Sequence, residues 1–230
     1  MKIHIEPDAD RLALECAGWM AGQVRLGLAE RDTFSLALSG GRGPHGMFEA
    51  LAREKVPWSR VHLFQVDERA APADSPDRNL TAIRSLLAER VAIPPGNVHP
   101  MPVEQDDLEA AAREYADTLA RVLGPGAILD LVHLGLGEDG HTASLLPGDP
   151  VAGSERTVIV SREYGGFRRM SLNYTVLSDA RQRVWLVTGT AKSEMLLRAM
   201  DGDVTIPAGR IRREDTLFFA DQAAGALLEG

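Results

Sequence analysis

The sequence predicts an α/β fold: a single domain over residues 1–230 with a doubly wound, mostly parallel sheet and helices on both faces. Three observations favour this class. Short apolar runs that alternate little recur along the chain, as in strands buried on both faces. Stretches with helical spacing separate these runs, without a linker or an internal repeat. Hydrophobic residues make up 44% of the 230 residues, which is enough for one sizeable core.

The first half of the chain alternates predicted strands and helices. Asp8 or Asp10 can cap the first helix, which extends to about residue 30. Pro44 suits the first position of the next helix. The polar, proline-bearing stretch 70–79 is predicted to be a long loop, a kind of segment that often carries function. The other predicted strands and helices are strands 2–5, 33–38, 61–66 and 98–101, and helices 47–53, 80–90 and 103–123.

The second half continues this alternation around one distinctive stretch, 129–148. Its apolar strand, 129–136, runs into Gly135, Gly137 and Gly140, which permit tight turns. Helices on both faces of a sheet leave only its carboxyl edge open to ligands, so chemistry is expected here. The remaining strands are 157–161, 183–187 and 216–220, and the remaining helices are 173–180, 191–200 and 222–228.

His141 and Asp139 form the candidate catalytic pair of this stretch. His141 follows the strand end, and Asp139 lies two residues before it. A carboxylate this close can orient an imidazole, as the third group of a catalytic triad does. The alternative is a surface histidine in a glycine loop, because ionisable residues are often structural. The acidic residues, the glycines and the abrupt strand end coincide, which favours catalysis.

A second glycine turn, at Ser39, Gly40 and Gly41, predicts a phosphate site. It joins a strand to a helix, where free backbone N–H groups attract anions, and Ser39 adds a hydroxyl donor. The glycines from Gly41 to Gly46 also satisfy G-x-G-x-x-G, and Asp67 ends the next strand, so NAD binding is an alternative. The same spacing recurs from 135 to 140, so this match is weak evidence. A turn without a ligand is the other alternative.

Two further stretches can supply cations to the same edge. Lys192 is predicted in the first turn of a helix, where a cation opposes the helix dipole and an anionic partner would explain it. Arg168 and Arg169 are predicted directly before a short helix, and they are either functional or a solvated pair.

Composition limits the classes of partner. The net charge of −8 argues against nucleic-acid or membrane binding. No apolar run has the length of a signal peptide or a bilayer span, and Cys16 is the single cysteine, so we expect a reducing, cytoplasmic environment. The six histidines lack the spacing of metal ligands, and we predict no metal.

Five motifs carry a family resemblance. They are LSGGRGP (38–44), VDER (66–69), GLGEDGHTASLLPG (135–148), RRMSL (168–172) and VTGTAKSEML (187–196). Together and in this order they resemble the 6-phosphogluconolactonases, within a superfamily that includes glucosamine-6-phosphate deaminase. The resemblance implies a Rossmann-like sheet of the sugar-phosphate isomerase type. It also implies a cytosolic enzyme of the pentose phosphate pathway that hydrolyses a sugar-phosphate lactone without a metal or organic cofactor.

The resemblance also implies roles for residues. The catalytic histidine falls on His141, while Asp67 and Arg69 line the pocket. The phosphate contacts fall on the turn 39–41, on Arg169 or its neighbour, and on Lys192. The chain departs from the family after the two glycines, where members usually carry Ser-Thr-Pro.

This chain has Arg42, Gly43 and Pro44 at the departing positions, so the Thr hydroxyl is lost while the backbone donors remain. Arg42 can compensate as a phosphate contact.

The expected reaction is hydrolysis of 6-phospho-D-glucono-1,5-lactone to 6-phospho-D-gluconate, with His141 as the general base on water. A monomer is favoured, with no macromolecular partner. One rival is a glucosamine-6-phosphate deaminase, which typically reads DGHIAFNEP and has a glutamate where this chain has Leu146. Another is a non-catalytic sugar-phosphate sensor, although the chain has no helix-turn-helix to accompany it.

Overall fold

A seven-stranded parallel sheet lies at the centre of the fold. The computed structural model describes residues 1–228, apart from the side chain of Ala152. In chain order its strands are β1 (Lys2–Glu6), β2 (Phe34–Leu38), β3 (Val61–Gln65), β4 (Asp67–Arg69), β5 (Val98–His99), β6 (Leu131–Leu134), β7 (Val158–Tyr164), β8 (Phe167–Leu172), β9 (Gln182–Val187) and β10 (Thr216–Asp221). The central sheet has the order β1-β10-β9-β6-β2-β3-β5, and its neighbouring strands are parallel. This arrangement confirms the predicted fold class.

Helices cover both faces of this sheet. They are α1 (Ala9–Glu30), α2 (His45–Leu51), α3 (Asn79–Ile83), α4 (Leu108–Leu123), α5 (Tyr174–Asp179), α6 (Ser193–Asp201) and α7 (Gln222–Gly225). One hydrophobic core joins α1 and α2 to the sheet, and a second joins α4, α5 and α6 to it. Leu36 and Leu38 of β2 pack in the first core, while Ala37 between them packs in the second. Burial on both faces explains why the strands are continuous apolar runs.

Capping residues set where the long helices begin. Asp8 caps α1 as predicted, because its carboxylate accepts a hydrogen bond from the amide of Arg11 at 2.8 Å. The predicted helix 103–123 begins only at Leu108, because Asp107 caps α4 through two backbone amides.

Other predicted boundaries also shift. Pro44 precedes α2 and does not occupy its first position. The predicted helix 80–90 divides into α3 and a π-helical stretch, Arg84–Ala88. Lys192 ends a 3-10 turn directly before α6, and α7 ends at Gly225. Strand ends move by one to three residues.

A second sheet, with three antiparallel strands in the order β4-β8-β7, extends from the end of β3. Arg168 and Arg169 precede the short helix α5 as predicted, but both lie inside β8, a strand that the sequence patterns did not predict. The turn between β7 and β8 consists of Gly165 and Gly166, whose φ angles are +61° and +83°. Paired positive φ angles are typical of a two-residue hairpin turn, so this glycine pair is the sequence signal for the hairpin.

The direction of chain progression reverses at the centre of the large sheet, between β2 and β6. From β2 the chain continues to β3 and β5 on one side, and from β6 it continues to β9 and β10 on the other. Loops leaving the carboxyl ends of β2 and β6 therefore diverge and leave a crevice. The two glycine-rich turns of the sequence follow these two strands.

His133 lies inside β6 with only 1% of its surface exposed, and neither ring nitrogen has a hydrogen-bond partner within residues 1–228. Burial lowers the pKa of His133 to about 3. The folded state therefore holds this ring neutral, whereas the unfolded chain protonates it below pH 6.5. The resulting stability is complete above pH 6.5 and is lost as the pH falls toward 3.

We predict that His133→Leu removes this part of the acid sensitivity. Below pH 6.5 the wild type should lose up to about 1.4 kcal/mol of unfolding free energy per pH unit more than the variant. Urea unfolding of both proteins at pH 8 and pH 5 measures the difference. Equal losses in the two proteins would show that His133 is not held neutral.

Candidate active site

A cavity of about 150 Å³ lies at the carboxyl ends of β2, β3 and β6. Most residues predicted for the site line it. They are Ser39, Gly40, Gly41, Asp67, Arg69, His141 and Arg169. The fold brings these residues together because β2, β3 and β6 are close in the sheet and their carboxyl ends meet at one edge.

The glycine turn after β2 is constrained at two positions, for different reasons. Gly41 has a φ of +92°, which side chains disfavour, although a Cβ there would meet no protein atom. A Cβ on Gly40 would overlap the side chain of Asn79. Within the described chain the amides of Gly40 and Gly41 donate to no other group, so both are free for a ligand. Gly40 therefore has no room for a Cβ beside Asn79, whereas Gly41 is constrained by its backbone angle.

His141 and Asp139 form a tight pair. The Nδ1 atom of His141 lies 2.6 Å from Oδ1 of Asp139, which also accepts the backbone amide of His141 at 3.0 Å. Partial burial acts to raise the pKa of Asp139, but these hydrogen bonds and the charge of His141 outweigh it and lower the pKa below its ordinary value. An ionised Asp139 requires the proton on Nδ1 of the neutral ring. The Nε2 atom then carries the lone pair that can accept a proton.

Three backbone amides of the His141 loop are already used. The Gly137 amide donates to the carbonyl of His141 at 2.8 Å, and the Gly140 amide donates to the carbonyl of Gly137 at 3.1 Å. Since the amide of His141 is held by Asp139, these three groups cannot also stabilise a developing oxyanion. Other donors at this edge are the amides of the glycine turn after β2 and the guanidinium of Arg69, whose Nη1 atom also donates to the carbonyl of Asp77 at 2.9 Å.

Asp67 is 4% exposed and is held at both carboxylate oxygens. The hydroxyl of Ser144 donates to Oδ2 at 2.6 Å, and the side-chain amide of Asn79 donates to Oδ1 at 3.2 Å. Burial raises the pKa of Asp67 above its ordinary value, although the Ser144 hydrogen bond and the charge of Arg169 act in the opposite direction.

The two neighbouring arginines of β8 are in different environments. Arg169 is buried at the cavity, where its Nε and Nη2 atoms donate to the carbonyl of Tyr164 at 3.3 and 3.1 Å. Arg168 is exposed and does not line the cavity. Alternation along the strand sends adjacent side chains to opposite faces, so only Arg169 is available to the site.

Lys192 and Arg42 lie outside this cavity. The Nζ atom of Lys192 is 4.0 Å from Oε1 of Glu138, at the rim of the His141 loop. Arg42 is exposed and lines an adjoining cavity of about 440 Å³, together with His45. The two cavities share Arg69 and the glycine turn, so an extended ligand can occupy both.

Asn79, Ser144 and Tyr164 were not singled out by the sequence patterns. The Tyr164 and His141 rings are arranged edge to face, with centroids 5.4 Å apart, and the Tyr164 hydroxyl lies 3.5 Å from Asp139. Ser144 lies within the His141 motif, residues 135–148, so its place in that motif was a sequence signal that could have identified it. Asn79 ends a polar loop in sequence, and only the fold shows its neighbours.

One group of side chains among residues 1–228 has metal-ligand chemistry, namely His4, Glu6 and Glu15 near the chain start. Arg11 already pairs with both carboxylates, at 3.8 and 2.9 Å. Across the same described range, no helix combines the length and the apolar character needed to span a bilayer.

Fold and site together define a Rossmann-like α/β protein with a histidine–carboxylate pair and a glycine turn at the switch point of its sheet. Residues 7–219 match the model of the glucosamine-6-phosphate isomerase/6-phosphogluconolactonase family. The chain belongs to this family, which confirms the resemblance seen in its motifs.

Several relatives are similar over nearly their whole length. A 6-phosphogluconolactonase from Synechocystis is 36% identical over 88% of each chain. One from Mycobacterium leprae is 36% identical over 99% of this chain and 98% of its own. The crystal structure of a 6-phosphogluconolactonase from Thermotoga maritima superposes with a TM-score of 0.86 at 28% identity, covering 96% of this chain and 99% of that chain.

We predict that alanine substitutions along the glycine turn lower the free energy of unfolding by different amounts. Gly40→Ala overlaps Asn79 and should cost about 1–3 kcal/mol of unfolding free energy, as overpacking does. Gly41→Ala strains only the backbone, at about 1–2 kcal/mol. Gly43→Ala is the matched control, because Gly43 is exposed and has open space, and it should stay within about 0.5 kcal/mol. Urea unfolding measures all three, and a Gly40 variant as stable as the control contradicts the packing described.

Proposed function

We propose that the protein hydrolyses 6-phospho-D-glucono-1,5-lactone to 6-phospho-D-gluconate, as a cytoplasmic monomer of one domain in the pentose phosphate pathway. The observation that carries the proposal is the His141–Asp139 pair, which faces Asp67, Arg69 and Arg169 across one small cavity. The names of the relatives support the substrate. The relatives named above are 6-phosphogluconolactonases at 28–36% identity.

In the proposed mechanism His141 acts as general base and then as general acid. Its Nε2 atom accepts a proton from water as the water oxygen attacks C1 of the lactone. The same proton then passes to the ring oxygen as the C1–O bond breaks, so the acid product forms and His141 is neutral again. Asp139 fixes the tautomer and the ring orientation and stabilises the transient imidazolium.

The oxyanion on C1 needs donors that are in place before attack. We assign this role to Arg69 or to the free amides of Gly40 and Gly41, because the amides of Gly137, Gly140 and His141 are occupied within the loop. Asp67 lies opposite, and we propose that it contacts the substrate hydroxyls and holds Arg169 in place by its charge.

The phosphate is proposed to bind at the opening shared by the two cavities. Arg169 and the glycine turn supply donors there, and Arg42 lies beside them in the adjoining cavity. Lys192 and Glu138 lie together at the rim of the His141 loop. We propose that Lys192 leaves Glu138 and contacts the phosphate when the substrate binds. Holding the phosphate away from C1 fixes the lactone against the base, which lowers the entropic part of the barrier.

Glucosamine-6-phosphate deaminase is the rival within the family, and one deaminase structure shares this fold with a TM-score of 0.84 at 21% identity. The rival typically has a glutamate at the position of Leu146, whose apolar side chain is 2% exposed and lines neither cavity of the site. An NAD enzyme fits less well. The G-x-G-x-x-G spacing on which that alternative rests recurs after β6, and none of the relatives named above is a dinucleotide enzyme.

Three assays separate these functions. The lactone also opens without enzyme, so the measured quantity is the rate of lactone loss with and without protein, for phosphorylated and unphosphorylated lactones. Ammonia release from glucosamine 6-phosphate tests the deaminase, and fluorescence titration with NADH tests the dinucleotide. Binding of 6-phosphogluconate without any acceleration of lactone loss would identify a sensor.

We predict that His141→Ala lowers turnover about 10²- to 10⁴-fold, as loss of a general base does, while the variant folds and still binds 6-phosphogluconate. His62→Ala is the control, because His62 lies in β3 with its Nδ1 atom 3.0 Å from Nε2 of His99, outside the cavity. Its turnover should match the wild type. Calorimetry measures binding. Retention of more than about a tenth of the turnover by His141→Ala places the base elsewhere, with Asp67 as the next residue to test.

We predict that Arg169→Ala raises KM for the phosphorylated lactone about 10- to 100-fold and lowers kcat less, because a charge-assisted contact to the phosphate is lost. The difference in kcat/KM between phosphorylated and unphosphorylated lactones should shrink by a similar factor. Arg168→Ala, next to it on the exposed face of β8, should leave both values unchanged. An undiminished preference for the phosphorylated lactone in Arg169→Ala contradicts the assignment.

A further inference from the structure

Asn79, the first residue of α3, contacts two parts of the site at once. It is 5% exposed and lines both cavities. Its side-chain amide donates to the backbone carbonyl of Asp67 at 2.9 Å and to Oδ1 of Asp67 at 3.2 Å. The same side chain fills the space in which a Cβ of Gly40 would lie. Asn79 therefore connects the carboxylate of Asp67, which lines the cavity, with the glycine turn that offers free amides.

A buried carboxylate, that of Glu68, fixes the position of Asn79. Glu68 is 0% exposed, and its Oε1 atom accepts the backbone amides of Asn79 and Arg69, each at 2.8 Å. Its Oε2 atom accepts the amide of Leu80 at 2.9 Å and lies 3.1 Å from Nε of Arg78. The start of α3 and the strand that carries Asp67 are thus tied to one group, which leaves Asn79 little freedom to turn away from the site.

The two oxygens of Asp67 depend on different donors. Oδ2 accepts from Ser144, whereas Oδ1 accepts only from Asn79 within the described residues. The charged or titratable groups that face Asp67 are Arg169, His141 and Glu68, and burial disfavours its ionised form. A donor to Oδ1 stabilises that ionised form, because a carboxylate accepts hydrogen bonds and a buried oxygen without a donor is costly.

We propose that Asn79 is a positioning residue of the site. Its side-chain amide keeps the carboxylate of Asp67 ionised and fixes its orientation, and its side chain packs against Gly40 and holds the glycine turn in place for the ligand. This inference rests on the proposed lactonase function, which supplies the reaction that reports on it. Asn79 acts through Asp67 and Gly40 and does not take part in proton transfer.

The test compares Asn79→Ala and Asn79→Asp. Asn79→Ala removes the donor to Oδ1 and the contact with Gly40, and kcat/KM should fall about 10- to 100-fold, as for a lost hydrogen bond to a charged group. The acid limb of kcat/KM against pH should move to higher pH, because Asp67 then protonates more easily. Asn79→Asp keeps the shape beside Gly40 but places a carboxylate against Asp67, so its acid limb should move further than that of Asn79→Ala.

Thr81→Ala is the matched control in the same helix. Its hydroxyl donates to the carbonyl of Ser75 at 2.9 Å and lines neither cavity. The dependence of kcat/KM on pH in Thr81→Ala should equal that of the wild type. Thermal unfolding shows whether each variant is folded. If Asn79→Ala is unfolded, the comparison of Asn79→Asp with Thr81→Ala tests the role of Asn79.

The outcomes separate the two proposals. A wild type that does not accelerate lactone loss overturns the proposed function. An active wild type whose Asn79 variants lose activity with an unmoved acid limb, or lose none, overturns the role of Asn79 alone.

Discussion

The reversal of strand order between β2 and β6 is the constraint on which the site depends. Helices on both faces close the sheet everywhere except at its ends, and the two loops at this reversal diverge. One loop brings free backbone amides and the other brings His141. Neither loop forms the cavity alone, so the geometry of the site is a property of the strand order and not of either motif.

The carboxylates buried at this edge are compensated by arginines from two places, β8 and the residue before α3. Asp67 and Glu68 are both almost fully buried, on consecutive positions of β4; the charge of Arg169 in β8 favours ionised Asp67, and Glu68 forms a buried ion pair with Arg78, 3.1 Å from its Nε atom. Removing one partner of such a buried pair costs about 3–5 kcal/mol, because the other charge remains uncompensated. These residues therefore hold the site together even where they do not touch a ligand.

The sequence predicted the parts of this structure that depend on local patterns. The order of strands and helices, the cap at Asp8 and both glycine turns follow from hydrophobic period and turn chemistry. The second sheet did not follow, because β4 pairs with β8 about 100 residues later in the chain and a three-residue strand has no period of its own. Asn79 was missed for the same reason, since its role comes from contacts across the fold. Lys192 was predicted in the site, but in the structure it lies at the rim beside Glu138.

The departure from the family pattern at Arg42 and Gly43 can be understood from the same turn. The constrained positions are Gly40, which packs against Asn79, and Gly41, which has a positive φ. Both are glycine here. Arg42 and Gly43 are exposed, and a Cβ at Gly43 would meet no neighbour, so the fold places no demand on their side chains. The backbone donors of the turn are thereby preserved, and Arg42 adds a guanidinium to the adjoining cavity, which favours an anion there.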